Sequence, residues 1–230
     1  MKWSISSHRP PHLYIDSAWY FITASTAENT QILARDQYLT LWKDKLHELT
    51  SEFNWKIAAW VVLPHHYHIL SLPKAGHEIG SFIKRLHGST SYQLNLLDDM
   101  RGRTVWYSYW DTFIRGERDF WTRFNYIHYN PVKHGYVQKP EDWKFSSYRF
   151  YLQEEGEEWL TRCWVEFSAP NSIENDQFYI GFSECGLQSA RISGLKSALR
   201  ITIHRGMMKP NSLKQIAIIN IDEGEEIVGG

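Results

Sequence analysis

The sequence predicts an α+β fold in which an antiparallel sheet carries helices packed on one face and a C-terminal extension follows. The chain has 230 residues, of which 43% are hydrophobic and 15% aromatic, so it is long and apolar enough to bury a sizeable core. Segments rich in aromatic and β-branched residues alternate with segments of helical periodicity. Their order is strand, helix, strand, strand, helix, strand, helix, which suits an antiparallel sheet with layered helices.

The first elements follow from composition and periodicity. Residues 13–24 are rich in aromatic and β-branched side chains and predict a strand. Residues 30–52 place apolar residues at an approximate 3.6-residue period and predict an amphipathic helix. The near-continuous apolar segment 55–73 predicts two strand pieces, because Pro64 cannot donate to a sheet ladder and demands a break or a bulge.

The later elements are two helices separated by a strand. Residues 78–97 predict the second helix and residues 104–115 the next strand. The third helix is predicted over Glu117–Asn130, and Pro131 is expected to end it. Its expected buried stripe is Phe120, Phe124 and Ile127.

The domain organisation is predicted from these elements and from composition. Residues 1–151 form the main domain, and residues 152–165 form an acidic connecting segment with a glycine in it. Residues 166–230 form a C-terminal extension that contains short alternating stretches but no chemical motif. Its role does not follow from the sequence.

The composition predicts a soluble cytoplasmic protein. The longest apolar run, 57–63, is seven residues, against about 20 for a membrane-spanning helix, and the N-terminus lacks the apolar stretch of a signal peptide. Cys163 and Cys185 have no C-x-x-C spacing and are expected to be free thiols.

The net charge of −1 argues mildly against a polyanionic partner, but the charge is unevenly distributed. Residues 1–150 contain 18 Lys and Arg against 14 Asp and Glu, a balance of +4, whereas residues 151–230 contain 7 against 12, a balance of −5. An ordinary surface with an acidic tail explains this difference, and a basic patch on the first part of the chain is also allowed.

His66 and His68, which are separated by one residue, form the first candidate functional site. Side chains alternate across a strand, so both imidazoles can project from one face and converge on a metal ion. A polar strand end with two unrelated histidines explains the same pattern.

Tyr126 and Asn130 form the second candidate, at the i, i+4 spacing that places side chains on one helical face. They lie roughly 90–120° from the predicted buried stripe and are therefore not expected in the core. Each has a plainer interpretation, as a half-exposed packing tyrosine and as a turn residue before Pro131.

Longer stretches resemble the REP-associated tyrosine transposases, a branch of the single-tyrosine HUH endonucleases. They are LPHHYHILSLP at 63–73, DFWTRFNYIHYNPVKHGYV at 119–137 and WKFSSYRFY at 143–151. The resemblance runs from about residue 14 to residue 151, and YIHYNPVKHG is its most specific part. One departure is His65, where family members usually have asparagine.

The resemblance implies a ferredoxin-like, or palm, sheet and a site of four side chains. The HUH element falls on His66, Tyr67 and His68, the nucleophile on Tyr126 and the third metal ligand on Asn130. It further implies a Mg²⁺- or Mn²⁺-dependent enzyme of DNA transposition. Such an enzyme cleaves single-stranded DNA beside hairpin repeats through a 5′-phosphotyrosine link and then rejoins it.

Candidate contacts to the DNA backbone are Lys84 and Arg85 on the second helix, Arg115 before the third and Lys133 after Asn130. For each, a solvated surface charge is at least as good an explanation.

Two other functions compete with the transposase. One is a non-catalytic, domesticated protein that binds DNA or RNA hairpins as a regulator. The other is a small zinc hydrolase using His66 and His68, which lacks an evident carboxylate base beside the pair. The resemblance also suggests a homodimer in which the two chains exchange the helix that carries the tyrosine. The sequence shows no self-complementary apolar surface that would decide between a monomer and a dimer.

Overall fold

The computed structural model describes residues 15–167. Residues 1–14, residues 168–230 of the predicted extension and Cys185 lie outside the described residues. In chain order the helices and strands are β1 (Tyr20–Thr26), α1 (Asp36–Phe53), β2 (Lys56–Leu63), β3 (His66–Leu72), α2 (Ile79–Leu97), β4 (Trp106–Phe113), α3 (Glu117–Lys133), α4 (Tyr148–Glu154) and α5 (Glu157–Phe167).

The strands of this part of the chain form one antiparallel sheet in the order β2-β3-β1-β4. The β-α-β-β-α-β connectivity with this order is that of a ferredoxin-like sheet. Strands β2 and β3 form a hairpin whose turn contains Pro64, as the predicted break requires. The predicted α+β class with an antiparallel sheet is confirmed.

The helices lie on both faces of the sheet, not on one face as predicted. Tyr67 and Ile69 of β3 belong to the core that α1 and α2 cover. The alternate residues His66 and His68 face the other way, toward α3. The βαββαβ unit therefore carries its two helices on one face, and α3 covers the opposite one.

Two predicted boundaries differ because the backbone turns before the regular element begins. Strand β1 starts at Tyr20, after a turn in which Ser17 has a φ of 58°. Helix α1 starts at Asp36, because the preceding residues dock on the β2–β3 turn, where Leu33 N donates to Pro64 O at 2.9 Å.

Helix α3 continues past Pro131 to Lys133, whereas the sequence predicted that the proline ends it. Pro131 lies in the last turn, where its missing N–H removes one helical hydrogen bond without displacing the chain. The end is a Schellman motif, in which Tyr136 N donates to Pro131 O and Gly135 N donates to Val132 O, both at 3.0 Å. Gly135, with a φ of 72°, supplies the left-handed residue.

Helix α5 is an element that the sequence analysis did not predict, and it packs on α3. Asn125 Nδ2 donates to Cys163 O at 2.7 Å, and the ring of Trp121 stacks on that of Phe167. Cys163 is a free, buried thiol. The domain boundary at residue 151 stays a prediction, although the helix beyond it packs against the helix that carries Tyr126.

No helix between residues 15 and 167 has both the length and the apolar character needed to cross a bilayer.

Candidate active site

Strand β3 presents His66 and His68 on the face of the sheet that α3 covers. Both side chains are buried, at 7% and 4% exposure, and their ring centroids are 4.9 Å apart. The period of two along a strand explains why both point the same way. The strand therefore holds the two imidazoles side by side on one face of the sheet, as the spacing predicted.

Helix α3 brings Tyr126 and Asn130 to the same place. The rings of Tyr126 and His68 lie 5.1 Å apart, and His66 Nε2 lies 2.9 Å from Asn130 Oδ1. All four predicted side chains are thus assembled within one chain. Their roles in metal binding and catalysis stay predictions.

Asn130 is fully buried, which corrects the expectation that it lies outside the core. The predicted stripe of Phe120, Phe124 and Ile127 is buried as well. A flank of α3 that would be open to solvent on an isolated helix is covered here by the histidines of β3. Tyr126 is intermediate in exposure, so the phenol lies at the edge of the site.

The unpaired polar atoms of this site fit a bound metal ion. Neither ring nitrogen of His68 has a hydrogen-bond partner within the described residues, whereas Nδ2 of Asn130, which also lacks one, is a donor and does not bind cations. Buried polar atoms are normally paired, so orphaned ones indicate a missing ligand. The 2.9 Å between His66 Nε2 and Asn130 Oδ1 is close to the ~3 Å between two ligands at right angles on an ion with bonds of about 2.1 Å.

The metal would need the amide oxygen of Asn130. Among residues 15–167, no group of three His, Cys, Asp or Glu side chains is arranged to hold a metal ion. A set of two imidazoles and one amide oxygen is unlike the closed sites of structural zinc. It leaves coordination positions open for a substrate, which is the property a catalytic site needs.

Burial lowers the pKa of both histidines well below 6.5, with smaller contributions from nearby positive charges. For His66 these contributions come from the protonated forms of His68 and His134, and for His68 they come from protonated His134 and from Lys133. Both imidazoles are therefore neutral near pH 7, which is the form that binds metals.

Two further histidines, His65 and His134, lie beside the pair. Their ring centroids are 4.4 and 4.8 Å from that of His66, respectively. His65 Nδ1 is hydrogen-bonded to Tyr136 Oη at 3.2 Å. The sequence analysis noted His65 but missed His134, which the i, i+4 spacing from Asn130 could have indicated.

The surroundings of Tyr126 also include residues that the sequence analysis missed. The Phe21 ring stacks on His68 at 5.3 Å and meets the Tyr126 ring edge-on at 6.1 Å. The guanidinium of Arg123 lies 4.7 Å from the centroid of Phe21. Arg123 precedes Tyr126 by three residues, a spacing that could have placed it on the same helical face. No local signal indicates Phe21, because it comes from a distant strand.

The four basic candidates are divided between the two faces of the sheet. Lys133 Nζ lies 5.2 Å from the centroid of the Tyr126 ring, and Arg115 is exposed just before α3. Lys84 and Arg85 lie on α2, on the opposite face from the histidines, and Arg85 is ion-paired with Glu52. The structure therefore brings Lys133 to the site and keeps Lys84 and Arg85 away from it.

The match to a known family covers the same region as the site. Residues 15–130 match the model of the family described as "Transposase IS200 like". The chain belongs to this transposase family. The matched region extends from before β1 to Asn130 and contains His66, His68 and Tyr126.

Individual relatives indicate which group of transposases within this family the chain resembles. It is 29% identical over 137 residues to the REP-associated tyrosine transposase of Escherichia coli K12, covering 59% of this chain and 79% of that protein. A second relative of the same class, from Haemophilus influenzae, is 28% identical over 139 residues, covering 56% of this chain and 78% of that one.

A solved structure of a REP-associated tyrosine transposase bound to a REP hairpin has the same fold. Its TM-score is 0.54 at 26% identity, covering 66% of this chain and 88% of that one. The predicted resemblance to these transposases is therefore confirmed.

Proposed function

We propose that this transposase cleaves and rejoins single-stranded DNA beside a hairpin, with Tyr126 as the nucleophile. One observation carries the proposal: Tyr126 and Asn130 of α3 meet the imidazole pair of β3, at 5.1 Å between the Tyr126 and His68 rings and 2.9 Å between Asn130 Oδ1 and His66 Nε2. Phosphoryl transfer to a hydroxyl needs a nucleophile beside a site that can polarise the phosphate, and these side chains supply both.

The cleavage exchanges one phosphate ester bond for another and needs no external energy source. The Tyr126 hydroxyl loses its proton and its oxygen attacks the scissile phosphorus. The bond from phosphorus to the 3′ oxygen breaks, and that oxygen leaves as a hydroxyl after taking up a proton. The 5′ end stays on Tyr126 as a phosphotyrosine ester. Attack by a 3′-hydroxyl reverses the step and rejoins a strand.

His66, His68 and Asn130 are the residues that would hold Mg²⁺ or Mn²⁺. When bound, the ion acts as a Lewis acid that makes the phosphate more electrophilic. The contribution of the chain is to keep two neutral imidazoles and one amide oxygen in place, which it does by burying all three. Two nitrogen ligands favour Mn²⁺ over Mg²⁺, because Mg²⁺ prefers oxygen.

The proposed substrate is a hairpin with single-stranded flanks. The related transposase of known structure binds a REP hairpin, and Tyr126 lies at the edge of a largely buried site. An unpaired strand is flexible enough to bring one phosphate to that edge. We expect Lys133, next to the Tyr126 ring, and Arg115, just before α3, to bind the backbone of this strand.

The test is covalent capture with the full chain. We would incubate the protein and Mn²⁺ with 5′-labelled and 3′-labelled oligonucleotides, each carrying one imperfect palindromic hairpin and a single-stranded flank on both sides. The wild-type protein should form an adduct that survives denaturation and retains the DNA on the 3′ side of the break. Tyr126→Phe should abolish the adduct while hairpin binding persists.

Tyr129→Phe is the matched control, because Tyr129 lies on the same helix but stacks on Trp164 of α5. It should form the adduct at the wild-type rate. Hairpin binding without any adduct in either metal would instead favour the non-catalytic regulator. An adduct on Tyr126→Phe would show that the nucleophile is another residue.

A further inference from the structure

Arg123 is a buried cation to which the proposed reaction assigns no role. It lies on α3, and only 10% of its side chain is exposed. Burying a charge is costly unless it is paired, and Asp119 Oδ1, 2.8 Å from Nε of Arg123, provides such a pairing. The exposed arginines of the same helix and of α2 have no such cost.

Arg123 shares one stripe of α3 with the predicted catalytic residues. At 100° per residue, Arg123, Tyr126, Asn130 and Lys133 fall within an arc of about 80°. Lys133 Nζ reaches back to the Tyr126 ring, at 5.2 Å from its centroid. Side chains on a helix tilt toward its N-terminus, so Arg123 extends away from Tyr126 along the same stripe. The nucleophile thus has one cation on each side along the helix.

Two contacts fix the orientation of the Arg123 guanidinium. Its Nε donates to Asp119 Oδ1 at 2.8 Å, and Asp119 Oδ2 in turn accepts from the backbone N of Arg115 at 3.1 Å. The guanidinium also lies 4.7 Å from the centroid of Phe21, the ring that stacks on His68. Since Asp119 uses Nε, the edge formed by the two Nη groups is the one that can pair with a phosphate.

The electrostatic effect of Arg123 reaches the site. The pKa of His68 is lowered first by burial, and then by the charges of His134, Lys133 and Arg123 in that order. Lys133 and Arg123 therefore both act on the place where an anionic phosphate would lie, and such a phosphate would balance their positive charges.

We infer that Arg123, oriented by Asp119, binds the backbone phosphate adjacent to the one that Tyr126 attacks, so that Arg123 and Lys133 hold the strand on either side of the nucleophile. The inference rests on the proposed function and deepens it by naming a second phosphate contact. An oriented contact of this kind holds the scissile phosphate in line with the phenol, and a small misplacement there is costly in rate.

The experiment combines protein variants with neutral phosphate replacements. Single-turnover adduct formation with Mn²⁺ would be measured for the wild-type protein, Arg123→Gln and Arg123→Lys on an oligonucleotide that the wild-type protein cleaves. The same oligonucleotide would also carry one methylphosphonate, at the phosphate on either side of the scissile one. Arg118→Gln is the matched control, because Arg118 is an exposed arginine on the same helix.

On the unmodified strand, Arg123→Gln should slow adduct formation by about 10- to 100-fold. It should also reduce the slope of log affinity against log salt by about 1, since one phosphate contact is lost. Arg123→Lys, which keeps the charge but not the planar fork, should lie between Arg123→Gln and the wild-type protein. Arg118→Gln should match the wild-type rate.

A methylphosphonate at one of the two positions should slow adduct formation by the wild-type protein. The same replacement should not slow adduct formation by Arg123→Gln any further. A merely structural role for Arg123 would give the same loss on every strand, together with a lower melting temperature, and would overturn the inference. Unchanged rates and salt slope in both variants would overturn it too.

The remaining outcomes are also informative. If Arg123→Gln fails to fold, Arg123→Lys and the methylphosphonate scan of the wild-type protein still decide the question. If the wild-type protein forms no adduct with any hairpin oligonucleotide, the proposed function fails. If it forms one that Tyr126→Phe abolishes while the Arg123 variants behave as wild type, only this inference fails.

Discussion

Asn130 on α3 and His66 on β3 are joined by a buried hydrogen bond of 2.9 Å, although 64 residues separate them in the chain. The bond ties the helix that carries Tyr126 to the strand that carries both imidazoles. The same two atoms, Nε2 of His66 and Oδ1 of Asn130, are the ones that would bind a metal. A bound metal would replace this hydrogen bond, because an imidazole nitrogen that binds a metal carries no proton, and in either state the two side chains tie α3 to β3.

Removing the amide of Asn130 should weaken metal binding and stability together. We expect Asn130→Ala to reduce Mn²⁺ affinity by at least about 10-fold in isothermal titration calorimetry. It should also lower the free energy of unfolding without metal by about 1–3 kcal/mol, because His66 Nε2 loses its buried partner.

Asn130→Asp is the control for the metal prediction. It keeps an oxygen ligand and adds a charge that divalent cations prefer, so it should bind Mn²⁺ at least as well as the wild-type protein. Mn²⁺ affinity that is unchanged in Asn130→Ala would show that Asn130 is not a ligand.

The basic residues on the two faces of the sheet should differ in their effect on DNA binding. Lys133→Gln should weaken hairpin binding and reduce the salt slope by about 1, because Lys133 lies beside Tyr126. The paired variant Lys84→Gln/Arg85→Gln should leave both quantities unchanged, since α2 covers the opposite face. Fluorescence anisotropy across a salt series would measure them. A larger loss from the α2 variant would mean that the strand crosses that face.

Local periodicity predicted much of the fold, because the apolar pattern that defines a helix or a strand lies within the element itself. The helical pattern over residues 78–97 predicted α2, which spans Ile79–Leu97, and Pro64 predicted the break between β2 and β3. The period of two in β3 placed His66 and His68 on one face. The alternation did not show which helix would cover that face, because that depends on tertiary packing.

The features that the sequence did not predict either depend on long-range contacts or have a composition that also fits a linker. The burial of Asn130 follows from its contact with β3, and Phe21 reaches Tyr126 from β1. Helix α5 was obscured by its acidic start at Glu157 and Glu158, beside Gly156. The acidic residues are typical of a helix N-terminus, where they stabilise the dipole, so the same pattern fits a helix as well as a linker.

Acid should destabilise the protein partly through His87. Burial lowers the pKa of His87 from 6.5 to about 3, and its Nε2 is hydrogen-bonded to Tyr67 Oη at 2.8 Å. Between these values the unfolded chain binds the proton and the folded chain does not, so stability falls as the pH drops below 6.5.

Between about pH 7.5 and pH 5, the wild-type protein should lose about 1–2 kcal/mol more unfolding free energy than His87→Gln; the lower value allows for the partial exposure of the ring. Urea unfolding at both pH values would measure this difference. The exposed His77 provides the control, and His77→Gln should follow the wild-type protein. Parallel losses in His87→Gln and the wild-type protein would contradict a His87 that stays neutral in the folded protein.

Helix α5 should contribute to the stability of the unit that contains the site, although it lies beyond the predicted boundary at residue 151. Leu160 on its inner face is 5% exposed, whereas Val165 on the same helix is 52% exposed. Leu160→Ala should therefore lower the unfolding free energy by about 2–4 kcal/mol, and Val165→Ala by no more than about 0.5 kcal/mol.

Urea unfolding of the full chain, followed by tryptophan fluorescence, would test this pair of variants. Trp159 of α5 contacts Trp121 of α3, and both are among the 11 tryptophans of the chain, so the signal follows the unfolding of the main unit with a contribution from the contact between these two helices. A single transition that shifts only in Leu160→Ala would show that α5 unfolds with α3. An early transition that appears in Leu160→Ala, with the main transition unmoved, would contradict this and support a domain that ends before α5.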